Sequence, residues 1–161
     1  MNLTTPSNKG WLDLAQQYAN KVSGCRKVAV GSAIINEGQL VSLGANRGVP
    51  DLCKTLRGCL RVERYGNDSK AHRDPADCRA LHSEIDAICS AARCGVPLGG
   101  CTIYVTRYPC ESCAKAIIAA GIKTVYYGGT AEASDDTRIM LETYGVDLIW
   151  LKNYGGESND H

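Results

Sequence analysis

The chain has 161 residues, of which 44% are hydrophobic and 22% charged, and its formal net charge is +1. The composition is ordinary for a globular protein, and one domain over residues 1–161 explains the length most simply. The near-neutral charge argues against a strong nucleic-acid-binding surface, which usually carries a basic excess. No apolar run approaches the ~20 residues of a membrane span, and no secretory signal is visible. We therefore expect neither a nucleic-acid partner nor a membrane partner.

The hydrophobic pattern predicts one leading helix followed by alternating strands and helices. The predicted elements are, in chain order, a helix at residues 11–22, a β-hairpin at 27–35 and 39–43, a helix at 82–94, a strand at 101–106, a helix at 110–120, a strand at 123–127, a helix at 135–144 and a strand at 146–151. Residues 154–161 are predicted to form a disordered tail. This order indicates an α/β fold with a mixed five-stranded sheet.

Residues 44–80 interrupt this pattern, because they are polar and charged and show no sustained periodicity. A loop of this length in a compact domain usually has a function or is held by something. Downstream, Ile85, Ile88, Cys89 and Ala92 are predicted to form the apolar face of their helix, which Gly95 ends.

Nine cysteines are many for a chain of this size. Their odd number and the lack of an export signal favour a reducing, cytoplasmic compartment, in which thiols bind metal or pack in the core. Cys89, Cys94 and Cys101 are predicted to be small core residues.

Two short patterns carry the chemistry. His82-Ser83-Glu84 has the form H-x-E, and Pro109 with Cys110 and Cys113 has the form P-C-x-x-C. One imidazole and two thiolates would leave the fourth tetrahedral position of a zinc ion open, as in catalytic sites. Glu84 would lie beside that position without being a ligand, so it could transfer protons. A lone C-x-x-C could also be a redox pair or half of a structural zinc site, but the two patterns together are the signature of zinc-dependent nucleobase deaminases.

With these motifs the sequence resembles the cytidine deaminase superfamily, and within it the deoxycytidylate deaminase branch, over roughly residues 24–128. Residues 30–35 resemble the family's V-G-A-x-I strand, residues 44–50 its G-Y-N-G-x-P loop, and residues 102–118 the sequence around its metal cysteines. The resemblance implies a three-layer α/β/α fold and a Zn²⁺ ion bound by His82, Cys110 and Cys113.

The resemblance also implies hydrolytic deamination of dCMP at C4 of cytosine, which gives dUMP and ammonia. The residues implied in this reaction are Glu84 for proton transfer, Asn46 for the sugar, Tyr108 beside the pyrimidine, the Ser83 backbone for the base, and Arg26 or Lys27 for the phosphate, with Lys27 in the closer register. The structural alternatives are a turn residue for Asn46, core packing for Tyr108 and a solvated surface pair for the two cations.

Three positions depart from the family pattern. Ser83 replaces the usual alanine, Ala45 lacks the usual aromatic ring, and Asp86 stands where deoxycytidylate deaminases usually have asparagine. A carboxylate near the substrate would repel a 5′-phosphate unless a cation intervened. The alternatives are therefore a related deaminase acting on deoxycytidine, a modified dCMP or guanine, or a non-catalytic zinc-binding module, which would not need Glu84.

The long segment raises the possibility of a second, structural zinc, which some members of the resembled branch bind there. Its candidate ligands are Cys25, Cys53, Cys59, His72 and Cys78, and the alternative is isolated thiols and a surface histidine. The resemblance further implies a homo-oligomer, often a hexamer, that dCTP activates and dTTP inhibits.

Overall fold

The structure is a computed structural model that describes residues 6–25, 27–47, 59–66, 78–129, 134–152 and 154. The helices are α1 (Asn8–Val22), α2 (Leu60–Tyr65), α3 (Ser83–Arg93), α4 (Glu111–Ala119) and α5 (Asp135–Thr143). The strands are β1 (Gly31–Asn36), β2 (Gln39–Ala45), β3 (Thr102–Val105), β4 (Thr124–Tyr127) and β5 (Asp147–Trp150). Apart from α2, these elements follow the predicted order.

The five strands form one mixed sheet in the order β2-β1-β3-β4-β5. Strand β1 is antiparallel to β2 and β3, whereas β3, β4 and β5 are mutually parallel. Gly31 pairs with Ala45, and Ser32 pairs with Val105. The start of β1, the end of β2 and the end of β3 therefore meet at one edge of the sheet, which is where ligands bind in open α/β folds.

Helices cover both faces of the sheet. On one face, Trp11, Leu12 and Ala15 of α1 pack against Ala33 and Ile35. The other face carries the larger cluster, which buries Ile34, Ala87, Ile103, Ile117 and Leu141. Consecutive residues of β1 thus point to opposite layers, as the two-residue period of a strand requires. The predicted three-layer α/β/α architecture with a mixed five-stranded sheet is confirmed.

Helix α3 buries a different face from the predicted one. The buried residues are Ser83, Glu84, Asp86, Ala87 and Ala91, while Cys89 and Ala92 are exposed. The reason is a close approach to β2: a Cβ built on Gly44 would lie 2.1 Å from the Ser83 carbonyl oxygen and 2.4 Å from the Ala87 nitrogen. Only small side chains fit where the backbones are so close, so the isoleucines lie at the flanks.

The structure corrects several further predictions. Cys101 is buried as predicted, but Cys94 is exposed like Cys89. Residues 27–30 precede the first strand instead of belonging to it, and α2 lies within the segment predicted to lack regular structure. Tyr154, predicted to be disordered, accepts a hydrogen bond from the Gly129 N–H at 2.9 Å, while residues 155–161 lie outside the described residues.

None of the described helices is long and apolar enough to span a membrane.

Candidate active site

The predicted metal ligands lie at the N-terminal ends of two neighbouring helices. His82 occupies the N-cap position of α3, and Cys110 occupies the N-cap position of α4, after the short loop that follows β3. Neither side chain caps its own helix, so the imidazole and the thiol are available for other contacts. The positive ends of both helix dipoles favour thiolates here.

The three ligand atoms are already close together. Cys110 Sγ and Cys113 Sγ each lie 3.4 Å from His82 Nδ1, and all three atoms lie within 4.8 Å of one another. A tetrahedral zinc ion, with Zn–S about 2.3 Å and Zn–N about 2.0 Å, places sulfur and nitrogen about 3.5 Å apart. The donor set and its spacing therefore fit zinc with one coordination position left open.

The ionisable groups of this cluster perturb one another strongly. Hydrogen bonds to Cys110 and then Cys78 raise the pKa of His82 to about 10, against the cost of burial. Hydrogen bonds from Cys113 and His82 lower the pKa of Cys110 to about 4, whereas Cys113, which donates to Cys110 and is buried, has a raised pKa. A thiolate is thus stabilised in the cluster, and a thiolate is the form that binds zinc.

Glu84 lies beside the ligands in a buried environment. Glu84 is only 4% exposed, and burial raises the pKa of its carboxyl group. Its carboxylate contacts the Cys113 thiol and accepts a hydrogen bond from Ser83 Oγ at 3.1 Å. A carboxyl group of raised pKa next to an open metal position is suited to accept and release a proton.

A cavity of about 440 Å³ opens in front of the metal cluster. Its walls come from the residues before β1, the end of β2, helix α2, the start of α3 and the loop between β3 and α4. Three cationic side chains of the described residues line it: Lys27, Arg61 and Arg107. Lys27 was among the predicted phosphate contacts, and its partner in that prediction, Arg26, lies outside the described residues.

Asn46 lines the cavity, and its side chain also organises the cavity wall. The amide oxygen accepts hydrogen bonds from the Val30 N–H at 2.8 Å and from Ser23 Oγ at 2.6 Å, and the amide nitrogen donates to the Val28 carbonyl at 2.8 Å. Together with the bond from the Asn46 backbone N–H to the Val30 carbonyl at 3.0 Å, these bonds hold Val28 and Val30 beside the end of β2. A turn residue alone would not need so many partners.

Tyr108 lies in the cavity wall with its ring edge-on to Tyr127, at a centroid distance of 5.0 Å. Its hydroxyl donates to the Ser134 carbonyl at 3.2 Å, and burial raises its pKa to about 12. The position of Tyr108 is therefore compatible with both roles given in the sequence analysis, which are core packing and contact with a ligand.

Asp86 is neutralised by a cation that the sequence did not identify. One carboxylate oxygen accepts from Arg47 Nη2 at 2.9 Å, and the other accepts from the Ala45 N–H at 3.1 Å. The Asp86 side chain is only 3% exposed and is absent from the cavity wall among the described residues. Its charge is thus directed at the end of β2 rather than at a bound ligand.

The described cysteines that were predicted as ligands of a second zinc do not form a second metal cluster. Cys25, Cys59 and Cys78 all line the cavity, but the only described group of three metal-type ligands is that of His82. Cys78 hydrogen-bonds His82, which lowers the pKa of the Cys78 thiol. Cys53 and His72 lie outside the described residues, so a second zinc stays a prediction.

Sequence reasoning missed four residues at or near the site. Arg107 had a usable signal, because it follows a strand and precedes the cysteine motif. No sequence signal indicated the other three residues, because each one reaches the site through contacts with segments distant in the chain: Arg61, Arg47 and Ser32.

Known proteins match both the sequence and the fold. A family model described as the cytidine and deoxycytidylate deaminase zinc-binding region matches residues 6–129. ComE operon protein 2 of Bacillus subtilis is 34% identical over 127 residues, which are 78% of this chain and 61% of that protein. The deoxycytidylate deaminase of Enterobacteria phage T2 is 46% identical over 83 residues, which are 49% of this chain and 43% of that protein.

Among solved structures, the dCMP deaminase of cyanophage S-TIM5 in complex with dCMP and dUMP matches with a TM-score of 0.67 at 23% identity. The match covers 89% of this chain and 95% of that one. At this identity the match concerns the fold, and it confirms the predicted architecture.

Proposed function

The chain belongs to the cytidine and deoxycytidylate deaminase family, and from this premise we propose that it hydrolyses dCMP to dUMP and ammonia. The observation that carries the proposal is the cluster of His82, Cys110 and Cys113, with the Glu84 carboxylate beside it at the end of a cavity lined by cations. The matched segment covers only part of the relatives' lengths, so their activity is carried over here as a proposal.

His82, Cys110 and Cys113 would hold the zinc ion, which supplies a water of lowered pKa, about 7 when bound. Glu84 accepts a proton at its carboxylate and delivers it to the departing amine, so the protein regains its starting protonation state. Burial supports this role because it raises the pKa of the Glu84 carboxyl group, which makes the carboxylate a stronger proton acceptor than an exposed glutamate. Tyr108 packs beside the pyrimidine, and the backbone at Ser83 contacts the base.

Other residues of the cavity wall are assigned to the sugar and the phosphate. Asn46 has a second amide N–H besides the one that donates to Val28, and we assign it to a sugar hydroxyl. Lys27, Arg61 and Arg107 supply positive charge along the cavity, which favours a phosphorylated substrate. The Asp86 carboxylate does not oppose this, because Arg47 pairs with it.

Two rivals make different predictions. A deaminase for an unphosphorylated nucleoside or for guanine would not need three cations in the cavity wall, and its main support, an uncompensated Asp86, is removed by Arg47. A non-catalytic zinc module would have no use for a carboxylate that is 4% exposed next to the ligands, because burying such a group without a task is costly.

The test is a substrate panel on the zinc-loaded protein: dCMP, deoxycytidine, CMP, dCTP and guanine. We expect the highest kcat/KM on dCMP. Lys27→Met and Arg107→Met should raise the KM for dCMP about tenfold each and leave turnover of deoxycytidine unchanged. Equal activity on dCMP and deoxycytidine would refute the phosphate assignment. Glu84→Gln should abolish turnover with one zinc per chain retained, and undiminished turnover would refute the proton-transfer role.

Four further features belong to the proposal. A cytoplasmic location is supported by the eight described cysteines, all of which are free thiols. A homo-oligomer, hexameric by resemblance, is tested by light scattering, and regulation by dCTP and dTTP by initial rates with each nucleotide. Metal analysis that gives two zinc ions per chain rather than one would support the additional structural zinc.

A further inference from the structure

A buried chain of hydroxyl groups leads from the sheet to Glu84. Ser32 Oγ on β1 lies 2.7 Å from Ser83 Oγ at the start of α3, and Ser83 Oγ donates to Glu84 Oε2 at 3.1 Å. Both serines are 0% exposed. Since the single Ser83 proton is directed at the carboxylate, Ser32 must be the donor in the contact between the two hydroxyls.

We infer that Ser83, itself held by Ser32, is a positioning residue that fixes the orientation of the Glu84 carboxylate. The inference rests on the proposed function, because it assigns Glu84 the proton transfer. A terminal carboxylate torsion has a broad energy profile, so burial alone does not select one orientation. A hydrogen bond to one defined oxygen selects a single orientation of the carboxylate, and proton transfer by Glu84 depends on that orientation.

Two other groups also reach the Glu84 carboxylate, its own backbone N–H and the Cys113 thiol, but Ser83 Oγ is the one that links it to the sheet. Alanine, which the resembled family usually has at position 83, would leave Ser32 Oγ buried without this acceptor and Glu84 Oε2 without this donor. The serine pair therefore belongs together: β1 supplies the rigid end, and α3 supplies the hydroxyl that reaches the carboxylate. The series of hydroxyl groups ends at the buried Ser32, inside the protein, so it positions a proton carrier and does not conduct protons to solvent.

The experiment compares Ser83→Ala, Ser32→Ala and the double variant with the wild type in the zinc-loaded protein. Ser42→Ala is the matched control, because the buried Ser42 hydroxyl also donates to α3, at the Ala87 carbonyl at 2.9 Å, but does not touch Glu84. We expect Ser83→Ala to lower kcat about tenfold with KM and zinc content unchanged. Ser32→Ala should lower kcat less, the double variant should match Ser83→Ala, and Ser42→Ala should leave kcat unchanged.

A readout independent of turnover is the infrared carboxylate band that disappears in Glu84→Gln. It should shift in Ser83→Ala and stay in place in Ser42→Ala. An unchanged band together with an unchanged kcat in Ser83→Ala would overturn the inference while leaving the proposed function intact. An equal fall of kcat in Ser42→Ala would overturn it as well, since the effect would then be general to α3. If the wild type turned over no substrate of the panel, the proposed function would fall first, and the inference with it.

Discussion

The ion pair between the partly exposed Arg47 and the buried Asp86 should be a principal stabilising contact of the site, and Arg47→Met tests it. The substitution keeps most of the side-chain volume but leaves the Asp86 carboxylate, 3% exposed, with only the Ala45 N–H as a described partner. At 2.9 Å and an effective dielectric constant of about 20, the Coulomb attraction is about 6 kcal/mol.

Several terms reduce that figure. Desolvation and side-chain ordering oppose the attraction, and the Arg47 side chain is 34% exposed, so solvent screens it. We therefore expect Arg47→Met to lower the free energy of unfolding by about 2–3 kcal/mol. Asp86→Asn should cost only about 1 kcal/mol, because its amide oxygen can still accept from the Ala45 N–H.

The assay is urea unfolding of the zinc-loaded protein as a double-mutant cycle. Once Asp86 is neutral, Arg47→Met no longer leaves a buried charge unpaired, so the double variant should lose much less than the sum of the two single losses. Arg138→Met is the control: Arg138 pairs with Asp135 and Glu142 on an exposed helix surface, and its loss should leave the unfolding midpoint unchanged. Additive losses at Arg47 and Asp86, or a loss at Arg47 no larger than at Arg138, would refute the reasoning.

Three shorter predictions address the metal, the packing and the alkaline limit. Cys110→Ser should remove most of the bound zinc, measured by metal analysis after gel filtration, because a hydroxyl replaces a thiolate ligand. Gly44→Ala should destabilise the protein by about 1–3 kcal/mol in urea, since its Cβ would lie 2.1 Å from a backbone oxygen, whereas Gly99→Ala meets nothing within 4 Å and should not. Burial and Asp13 raise the pKa of Tyr154 to about 12, above about 10 for a free phenol. As the pH rises, the unfolded chain therefore loses the Tyr154 proton before the folded chain does. The contribution of this phenol to the free energy of unfolding should be complete below about pH 10 and should fall as the pH rises towards about 12. Tyr154→Phe should make the free energy of unfolding fall less steeply over this range, and an unchanged slope would contradict the prediction.

The sequence was sufficient for the features that depend on short-range patterns. The order of the elements followed from periodicity and from turn residues, because both act over a few neighbouring positions. The candidate metal ligands were predicted from spacing: Cys110 and Cys113 lie within one turn at a helix start, and His82 begins the neighbouring helix. Close approach of the two helix starts then follows from the topology of the sheet.

The features that sequence reasoning missed depend on contacts between distant segments. The pair of Arg47 and Asp86 joins residues 39 positions apart, and neither residue has a neighbouring signal that names the other. Arg61 reaches the cavity from a segment without periodicity. Asn46 was predicted to bind the sugar, with a turn residue as the alternative. Neither prediction included the bonds from its amide to the backbone at Val28 and Val30, which are visible only once the sheet is assembled.

The misassigned face of α3 has a physical explanation that also locates the function. Hydrophobic periodicity assumes that the buried face is apolar, but the first turn of α3 buries Ser83, Glu84 and Asp86, and only then Ala87 and Ala91. Each of the three polar side chains is buried with a specific partner: a hydroxyl on β1, the metal cluster, or the guanidinium beside β2. Buried polar groups are retained only where their hydrogen bonds are made. A helix that violates the apolar rule in its first turn and obeys it afterwards therefore marks the end at which we propose that the chemistry takes place.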